Sequence, residues 1–194
     1  MAADDGRLER LERRVAALED QIAIYQLLMT YGPSADSGSD DVVRAIHHPD
    51  AEYDSGLEVF RGGEQIGDMI ASLPLHRDIM AGGSAHLATM PVVHVDGDRA
   101  TAVCHGQLLR FDREADAFRI WRATAVRLEF RRTGDGWKIY RRANRLLDGS
   151  DASHQHFRDG LEAVGAAPGP AVPAEAVPAE AVPAEVVPAD APAG

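Results

Sequence analysis

The second half of the chain contains four long segments in which apolar and polar residues alternate, and this run constrains the fold more than any other feature. The segments are SAHLATMPVVHVDG, RATAVCHGQLLRFD, FRIWRATAVRLEFRR and GWKIYRRANRLL, and the turn sequences DGD, DREAD and TGDG separate them. Short polar turns between alternating segments are typical of antiparallel hairpins. Segments with helical patterns come first. The sequence therefore predicts an α+β fold in which a curved antiparallel sheet packs on N-terminal helices.

The first predicted helix carries a narrow stripe of apolar residues spaced alternately by three and four. The stripe consists of Leu8, Leu11, Val15, Leu18, Ile22 and Tyr25. This is the spacing of a heptad seam, and it fits either an intersubunit contact or a helix lying on its own domain. The apolar pattern broadens over residues 24–31, so the second half is expected to pack on the domain core while the first half projects. Gly32 and Pro33 are expected to end the helix.

Three further elements are predicted between this helix and the long strands. Residues 40–48 form a short helix with Asp40 as a candidate N-cap. The segment AEYDSGLEVFRG alternates as two short strands around Ser55 and Gly56. The segment GGEQIGDMIASLP then forms a third helix that ends at Pro74.

The end of the chain differs in composition from the rest. Residues 166–194 contain the repeats VPAEA, VPAEA, VPAEV and VPADA and no aromatic residue. Proline at five-residue intervals blocks a helix, so this segment is predicted to be a disordered tail. We therefore divide the chain into residues 1–17, an N-terminal extension of the first helix, residues 18–165, a single domain, and residues 166–194, the tail.

Charge and cysteine content narrow the functional classes. The chain has 20 Lys and Arg against 31 Asp and Glu, a formal net charge of −11, which disfavours binding to nucleic acid or to an anionic membrane surface. Cys104 is the only cysteine, so no intrachain disulfide is expected. The amino terminus is charged where a signal peptide needs an apolar stretch, and no apolar window is long enough to cross a bilayer. A cytoplasmic location is expected.

The common cofactor and metal motifs are missing from the sequence. It contains no phosphate-binding loop, dinucleotide fingerprint, HExxH helix or nucleophile elbow. His47, His48 and Asp50 lie close together, but adjacent side chains point in different directions and no third ligand is evident nearby. We predict neither a cofactor nor a metal site.

Tyr31, Asp36 and His86 are the residues with the clearest chemical potential. Tyr31 and Asp36 lie where the first helix ends, in MTYGPSADSGS, and His86 begins the first long strand, in GGSAHLATM. A carboxylate beside an imidazole holds the ring in one tautomer, so that its other nitrogen can remove a proton from a substrate. A nearby phenol can polarise a carbonyl or protonate a leaving group. Spacing alone does not bring these residues together, and a lone strand histidine is more often structural.

The run from about Leu18 to Arg158 resembles the SnoaL-like domains of the nuclear transport factor 2-like superfamily. The segments TYGPSADSG, AEYDSG, SAHLATMPVVHVDGDRATA and RRTGDGWKIYRR carry the resemblance. It is closest to the hydroxysteroid (bile acid) dehydratases and looser to the scytalone dehydratases and the dehydrochlorinase of hexachlorocyclohexane. The resemblance implies a cone-shaped α+β barrel with a central pocket. Tyr31, Asp36 and His86 match the catalytic residues at the mouth of that pocket.

The resemblance also implies substrate-binding roles for Tyr53, His105, Trp121, Tyr140, Arg142 and Asn144. One position departs from the pattern, because a catalytic aspartate of the bile acid dehydratases falls on or beside Arg110. His105 could instead replace the second histidine of the scytalone dehydratases. Alternation places His105 and Arg110 on opposite faces of one strand, so only one of them can face the pocket.

The last strand and the segment after it complete the expected site. Tyr140, Arg142 and Asn144 share a face opposite Trp137 and Ile139, and the resemblance turns that face towards the pocket. Arg142 could then hold an anionic or enolic oxygen. Residues 154–161 could form a short helix that closes over the pocket.

The resemblance implies a cofactor-independent lyase of the dehydratase type, acting by Asp–His proton abstraction on a hydrophobic cyclic substrate such as a polyketide, steroid or terpenoid. The alternative among enzymes is an isomerase or polyketide cyclase that uses the same dyad. The alternative of another class is a non-catalytic protein that binds small molecules or serves as a scaffold. A homo-oligomer is expected because the outward face of the sheet is expected to be apolar, and the resemblance implies a homodimer or homotrimer.

Overall fold

A computed structural model of the chain describes residues 2–166, so the predicted tail lies outside the described residues apart from Ala166. Within this range the chain forms five helices and seven strands. In chain order they are α1 (Ala2–Ser37), α2 (Asp40–Ile46), β1 (His47–Asp54), β2 (Val59–Arg61), α3 (Gly63–Ser72), α4 (Pro74–Gly82), β3 (Ser84–Ala88), β4 (Val92–Asp96), β5 (Arg99–Asp112), β6 (Ala117–Thr133), β7 (Gly136–Leu146) and α5 (Asp151–Ala163). None of these helices is long and apolar enough to cross a membrane.

The predicted α+β fold is confirmed, with helices packed on one curved sheet. The strand order is β2-β1-β7-β6-β5-β3, and β4 also pairs with β5. The pairings are antiparallel as predicted except that of β1 with β7, which is parallel, so the sheet is mixed and does not close on itself. A short turn fixes the antiparallel direction of a hairpin, but β1 and β7 are far apart in the chain and no such turn joins them.

The first of the four predicted strand segments is divided into β3 and β4. Both pair with β5, β3 along residues 106–110 and β4 along residues 99–103. Pro91 lies between them, and a proline cannot donate a hydrogen bond to the ladder. The ladders of β5 with β6 and of β6 with β7 each contain one bulge, with Trp121 and Tyr140 as the extra residues. Bulges bend and twist a sheet, which curves this one around the helices.

Helix α1 is longer than the sequence predicts, because it continues through Gly32 and Pro33 to Ser37. Gly32 does not end the helix but lets it touch the sheet, since a Cβ atom there would lie 2.3 Å from the carbonyl oxygen of His86. The helix ends where Gly38 adopts a positive φ of 71° and Ser39 donates its amide hydrogen to the carbonyl of Ser34.

Helix α4 is an element that the sequence analysis missed. Pro74 was expected to end the third helix, whereas it begins the next one. Proline is favoured in the first turn of a helix, because the amide hydrogen that it lacks has no acceptor there. Pro74 therefore separates two consecutive helices, and the second of them brings His76 and Ile79 into the core.

Helix α5 packs on the outer face of the sheet and not over the pocket, contrary to the expectation. Gly160 lies against Val103 and Arg127, and the His156 ring hydrogen-bonds to the carbonyl of Ala143 at 3.0 Å. The outer face of β6 and β7 is also charged where an apolar interface was expected. It carries ion pairs such as that of Arg127 with Asp159.

Candidate active site

Asp36 and His86 meet at the contact between the end of α1 and the start of β3. The Asp36 carboxylate accepts hydrogen bonds from the His86 ring Nδ1 at 2.6 Å and from the His86 backbone amide at 2.7 Å. It also accepts one from the Ser84 hydroxyl at 2.7 Å. The structure thus brings together two residues 50 positions apart in the sequence. The close approach of α1 at Gly32 makes this contact possible.

The hydrogen bonds of the dyad fix the tautomer of the imidazole. A carboxylate is an acceptor only, so Nδ1 carries the hydrogen and Nε2 holds the lone pair on the opposite side of the ring. Burial lowers the pKa of His86 below its ordinary value and outweighs the opposing effect of Asp36. Burial acts to raise the pKa of Asp36, but the bonds from His86 and Ser84 hold it below its ordinary value. His86 is therefore a neutral base beside an ionised carboxylate.

Tyr31 lies beside the dyad and lines the cavity. Its ring is edge-on to that of His86, with centroids 6.3 Å apart, and edge-on to that of Tyr53 at 6.2 Å. Burial raises the pKa of Tyr31 far above its ordinary value, so the phenol keeps its proton at neutral pH. The group can therefore donate a hydrogen bond or a proton beside the base.

Arg142 is a buried cation that lines the same cavity beside Tyr31. Its guanidinium carbon lies 4.0 Å from the Tyr31 ring centroid and 5.0 Å from that of Tyr53. Its Nε hydrogen-bonds to the Asn144 side-chain oxygen at 3.4 Å, and the Asn144 amide nitrogen donates to the Tyr53 hydroxyl at 3.3 Å. Its Nη1 is buried without a hydrogen-bond partner, and within residues 6–166 no carboxylate pairs with this guanidinium. Arg142 therefore has an unused donor for an anionic oxygen.

The cavity that these groups line has a volume of about 150 Å³ and mostly apolar walls. Its apolar lining includes Leu28, Phe60, Met69, Leu73, Ile79 and Leu108. His86, Tyr31 and Arg142 are among its polar lining residues. Such a cavity suits a hydrophobic ligand with one polar reacting group.

His76 is a cavity residue that the sequence analysis did not single out. It lies on α4, its ring centroid is 5.9 Å from that of His86, and its Nε2 donates to the carbonyl of Ala35 at 3.0 Å. Burial lowers the pKa of His76, so its ring is neutral and Nδ1 is an acceptor. The signal that could identify His76 is the amphipathic pattern of α4. This pattern starts at Pro74, where the sequence analysis places the end of a helix.

The structure decides which face of β5 meets the cavity. His105 is exposed on the outer face, where its ring packs on Phe157 of α5 at a centroid distance of 4.8 Å. The expectation that His105 binds substrate is therefore wrong. Arg110 is on the inner side with Leu108, and its guanidinium lies 5.4 Å from the ring of Trp121, which lines the cavity.

Tyr140 is also misplaced by the sequence analysis. The bulge at this residue puts Ile139 and Arg142 on the same inner face, although simple alternation places them on opposite faces. Tyr140 instead lies beside His48, at a centroid distance of 5.5 Å, and beneath the guanidinium of Arg131. Tyr53, Trp121, Arg142 and Asn144 line the cavity as expected.

The residues considered for metal binding point apart. His47 is buried and donates from Nδ1 to the carbonyl of Val43 at 2.7 Å, whereas the His48 ring accepts from the Asp50 amide. No group of three or more His, Cys, Asp or Glu residues in the described part of the chain is arranged to hold a metal ion. Burial raises the pKa of the Cys104 thiol to about 11, so it is no nucleophile at neutral pH.

Comparisons with known proteins agree with this architecture. The model of a family described as a SnoaL-like domain matches residues 16–143. An NTF2-like protein with a cystatin-like fold from Novosphingobium aromaticivorans is 39% identical, covers 77% of this chain and 96% of its own, and superposes with a TM-score of 0.73. No curated protein matches the chain at a significant level.

Two more distant solved structures share the fold alone. An NTF2-like superfamily protein from Salmonella enterica is 14% identical over 67% of this chain and 92% of its own, with a TM-score of 0.56. A protein from Novosphingobium aromaticivorans, provisionally assigned as an aromatic ring hydroxylase, is 24% identical over 67% of this chain and 90% of its own, with a TM-score of 0.55.

Proposed function

The chain belongs to the SnoaL-like domain family, which includes enzymes, and we propose that it is a lyase of the dehydratase type. Its own side chains would remove water from a hydrophobic cyclic β-hydroxy carbonyl compound. The observation that carries the proposal is the hydrogen bond of 2.6 Å between Asp36 and the Nδ1 of a neutral, partly buried His86.

The first step is proton abstraction by His86. Its Nε2 removes the proton from the carbon next to the carbonyl, and the electrons of that C–H bond form an enolate. The imidazolium that results is stabilised by Asp36, which stays ionised because of its low pKa. Proton transfer to His86 is favoured because the ring is neutral before the step and its positive charge is paired with Asp36 afterwards.

The enolate oxygen is held by Arg142. The partnerless Nη1 of this residue supplies a donor in a cavity where burial strengthens charge interactions. The guanidinium is already positioned by its contacts with Tyr31 and Tyr53, so it needs little reorganisation when charge develops. Arg142 thus stabilises the charge that His86 creates.

The second step expels the β-hydroxyl group. Collapse of the enolate forms the C=C bond and breaks the C–O bond, and the departing hydroxide takes a proton from Tyr31 to leave as water. The proton on His86 then restores the phenol, so the protein returns to its starting state. The high pKa of Tyr31 supports this role, because the phenol is protonated when the substrate binds.

The cavity dimensions support a cyclic substrate. An apolar protein cavity of about 150 Å³ is known to hold one six-membered ring, and this cavity has about that volume. Larger substrates would extend through the mouth past the half-exposed Trp121. A fused-ring polyketide, steroid or terpenoid fits this description.

The proposal can be tested without knowing the natural substrate. Purified protein is incubated in D₂O with a panel of cyclic β-hydroxy ketones, from single rings to steroid size, and NMR follows deuterium entering the α-carbon. Optical absorbance follows the enone product. We expect the rates of deuterium entry and of enone formation to fall about 100-fold or more in His86→Ala and in Asp36→Asn. Circular dichroism should show that both variants remain folded.

His94→Ala is the matched control, because His94 is an exposed histidine on β4 outside the cavity. It should retain the wild-type rates. Deuterium exchange without enone would favour the isomerase or cyclase alternative over the lyase. Binding of the ketones with no exchange at all would favour a non-catalytic binding protein.

A further inference from the structure

Residues 8–29 of α1 present a continuous apolar seam to solvent. Taking Leu8 as heptad position a, positions a and d are Leu8, Leu11, Val15, Leu18, Ile22, Tyr25 and Met29. All of these except the half-buried Tyr25 are between 42% and 57% exposed. These seven apolar residues span three heptads, a spacing that is typical of contact with another helix.

The domain cannot cover this seam, because it contacts the opposite side of the helix. Asp20 accepts hydrogen bonds from Arg132 and from the Trp137 indole, and Ile24 and Tyr31 are buried against the core. At 3.6 residues per turn, these domain-facing positions lie about 180° around the helix from the seam. The alternative of a helix lying on its own domain therefore holds for the opposite side of α1, from Asp20 onwards, and it leaves the seam open.

The residue types in the seam favour two parallel strands. Positions a include the β-branched Val15 and Ile22, and positions d include Leu11 and Leu18. β-Branched residues at a combined with Leu at d favour parallel dimers over trimers and tetramers.

The charges beside the seam point to the same arrangement. The charged residues at positions g are Arg7 and Arg14, and those at positions e are Glu12 and Glu19, whereas the later g and e positions are uncharged. In a parallel dimer each g residue lies beside the e residue five positions later on the other helix, which pairs Arg7 with Glu12 and Arg14 with Glu19. In an antiparallel dimer g meets g and e meets e, so like charges would face each other. None of these four charges forms an ion pair within the described part of the chain.

We propose that the seam binds a second copy of this chain as a parallel, two-stranded coiled coil. The main obstacle for such a short coil is helix nucleation, which is unfavourable in an isolated peptide. Here the domain already holds α1 as a helix from Asp20 onwards, so residues 8–19 only have to propagate from it. The proposal does not depend on the catalytic function.

The first test is the mass of the full chain in solution. Light scattering should give twice the 20.9 kDa chain mass for the wild type, and the chain mass for Leu11→Glu/Leu18→Glu. Met90→Glu/Leu161→Glu is the matched control, because it adds the same charges at exposed apolar residues off the seam, and it should remain a dimer. A monomeric or trimeric wild type, or a dimer that survives the seam substitutions, would overturn the proposal.

The second test measures orientation. Leu8→Cys should form an intermolecular disulfide under mild oxidation, because identical a positions face each other only in a parallel coil. The native Cys104 is buried and should give little background. Met90→Cys is the control, because Met90 is exposed but lies outside the seam, and it should form no intermolecular disulfide at the same concentration. A dimer in which Leu8→Cys does not cross-link would rule out the parallel arrangement.

Discussion

His47 and His86 both lie edge-on to the Tyr31 ring, at centroid distances of 6.2 Å and 6.3 Å, yet their chemistry differs. His86 has an ionised partner in Asp36. His47 has only the carbonyl of Val43, and its Nε2 is buried with no hydrogen-bond partner. Burial therefore lowers the pKa of His47 to about 4. At the scale of single residues, one imidazole is ready for proton transfer and the other must stay neutral for the fold to persist.

This difference predicts how stability depends on pH. Between about pH 6.5 and pH 4 the unfolded chain protonates His47 and the folded chain does not, so the free energy of unfolding falls as the pH falls through this window. The lowered pKa of His47 corresponds to a loss on the order of 3 kcal/mol in the free energy of unfolding by pH 4. Urea denaturation at a series of pH values measures the effect.

Other histidines contribute to the same acid sensitivity, so a variant isolates the share of His47. His47→Gln cannot take up a proton, and it should be less stable than the wild type at pH 7.5 but should show a weaker pH dependence below pH 6.5. Equal slopes for wild type and variant would mean that His47 is not the neutral buried group described above.

At the scale of elements, the site depends on the contact between α1 and β3, because this contact brings Asp36 next to His86. Gly32→Ala would place a methyl group 2.3 Å from the carbonyl oxygen of His86, a distance that no rotamer change can relieve. The strand must move away from the helix, which also separates Asp36 from His86. We expect a loss of roughly 1–3 kcal/mol in the free energy of unfolding and a larger proportional loss of turnover.

Gly134→Ala is the matched control for this prediction. A Cβ atom there meets nothing within 4 Å, and its backbone needs no positive φ. Melting temperatures of the two variants, together with the deuterium exchange assay, give the comparison. Equal behaviour of the two substitutions would show that the contact at Gly32 is not tight.

The regularity of the strands and helices determines which parts of the site could be predicted from the sequence. The strand pattern and the resemblance predicted the α+β class and the Asp36–His86 pair, but not the parallel pairing of β1 with β7 or helix α4. Tyr140 was misplaced because alternation assumes a regular strand, and a single bulge reverses the faces beyond it. His76 was missed because Pro74 was interpreted as a helix end. Periodicity identifies elements, but it does not record one-residue irregularities or the start of a second helix.

At the scale of the whole molecule, the cavity, α5 and the seam of α1 occupy different surfaces. The cavity opens on the inner side of the sheet, α5 covers part of its outer face, and the seam projects from the N-terminal half of α1. Assembly through the seam would therefore leave the cavity accessible, and α5 would serve stability rather than catalysis.

Two truncations separate the roles of α5 and of the segment that follows it. Ending the chain after Gly149 removes α5, which exposes Val103 and takes the His156 ring from the Ala143 carbonyl. A loss on the order of 2 kcal/mol in the free energy of unfolding is expected, which lowers the melting temperature by roughly 4–8 °C.

Ending the chain after Ala166 removes only the proline-interrupted repeats and should leave melting temperature and turnover unchanged. Calorimetry of both truncations is the measurement. A drop of several degrees on removing residues 167–194 alone would mean that the repeats dock on the domain, because no other loss of packing accompanies that change.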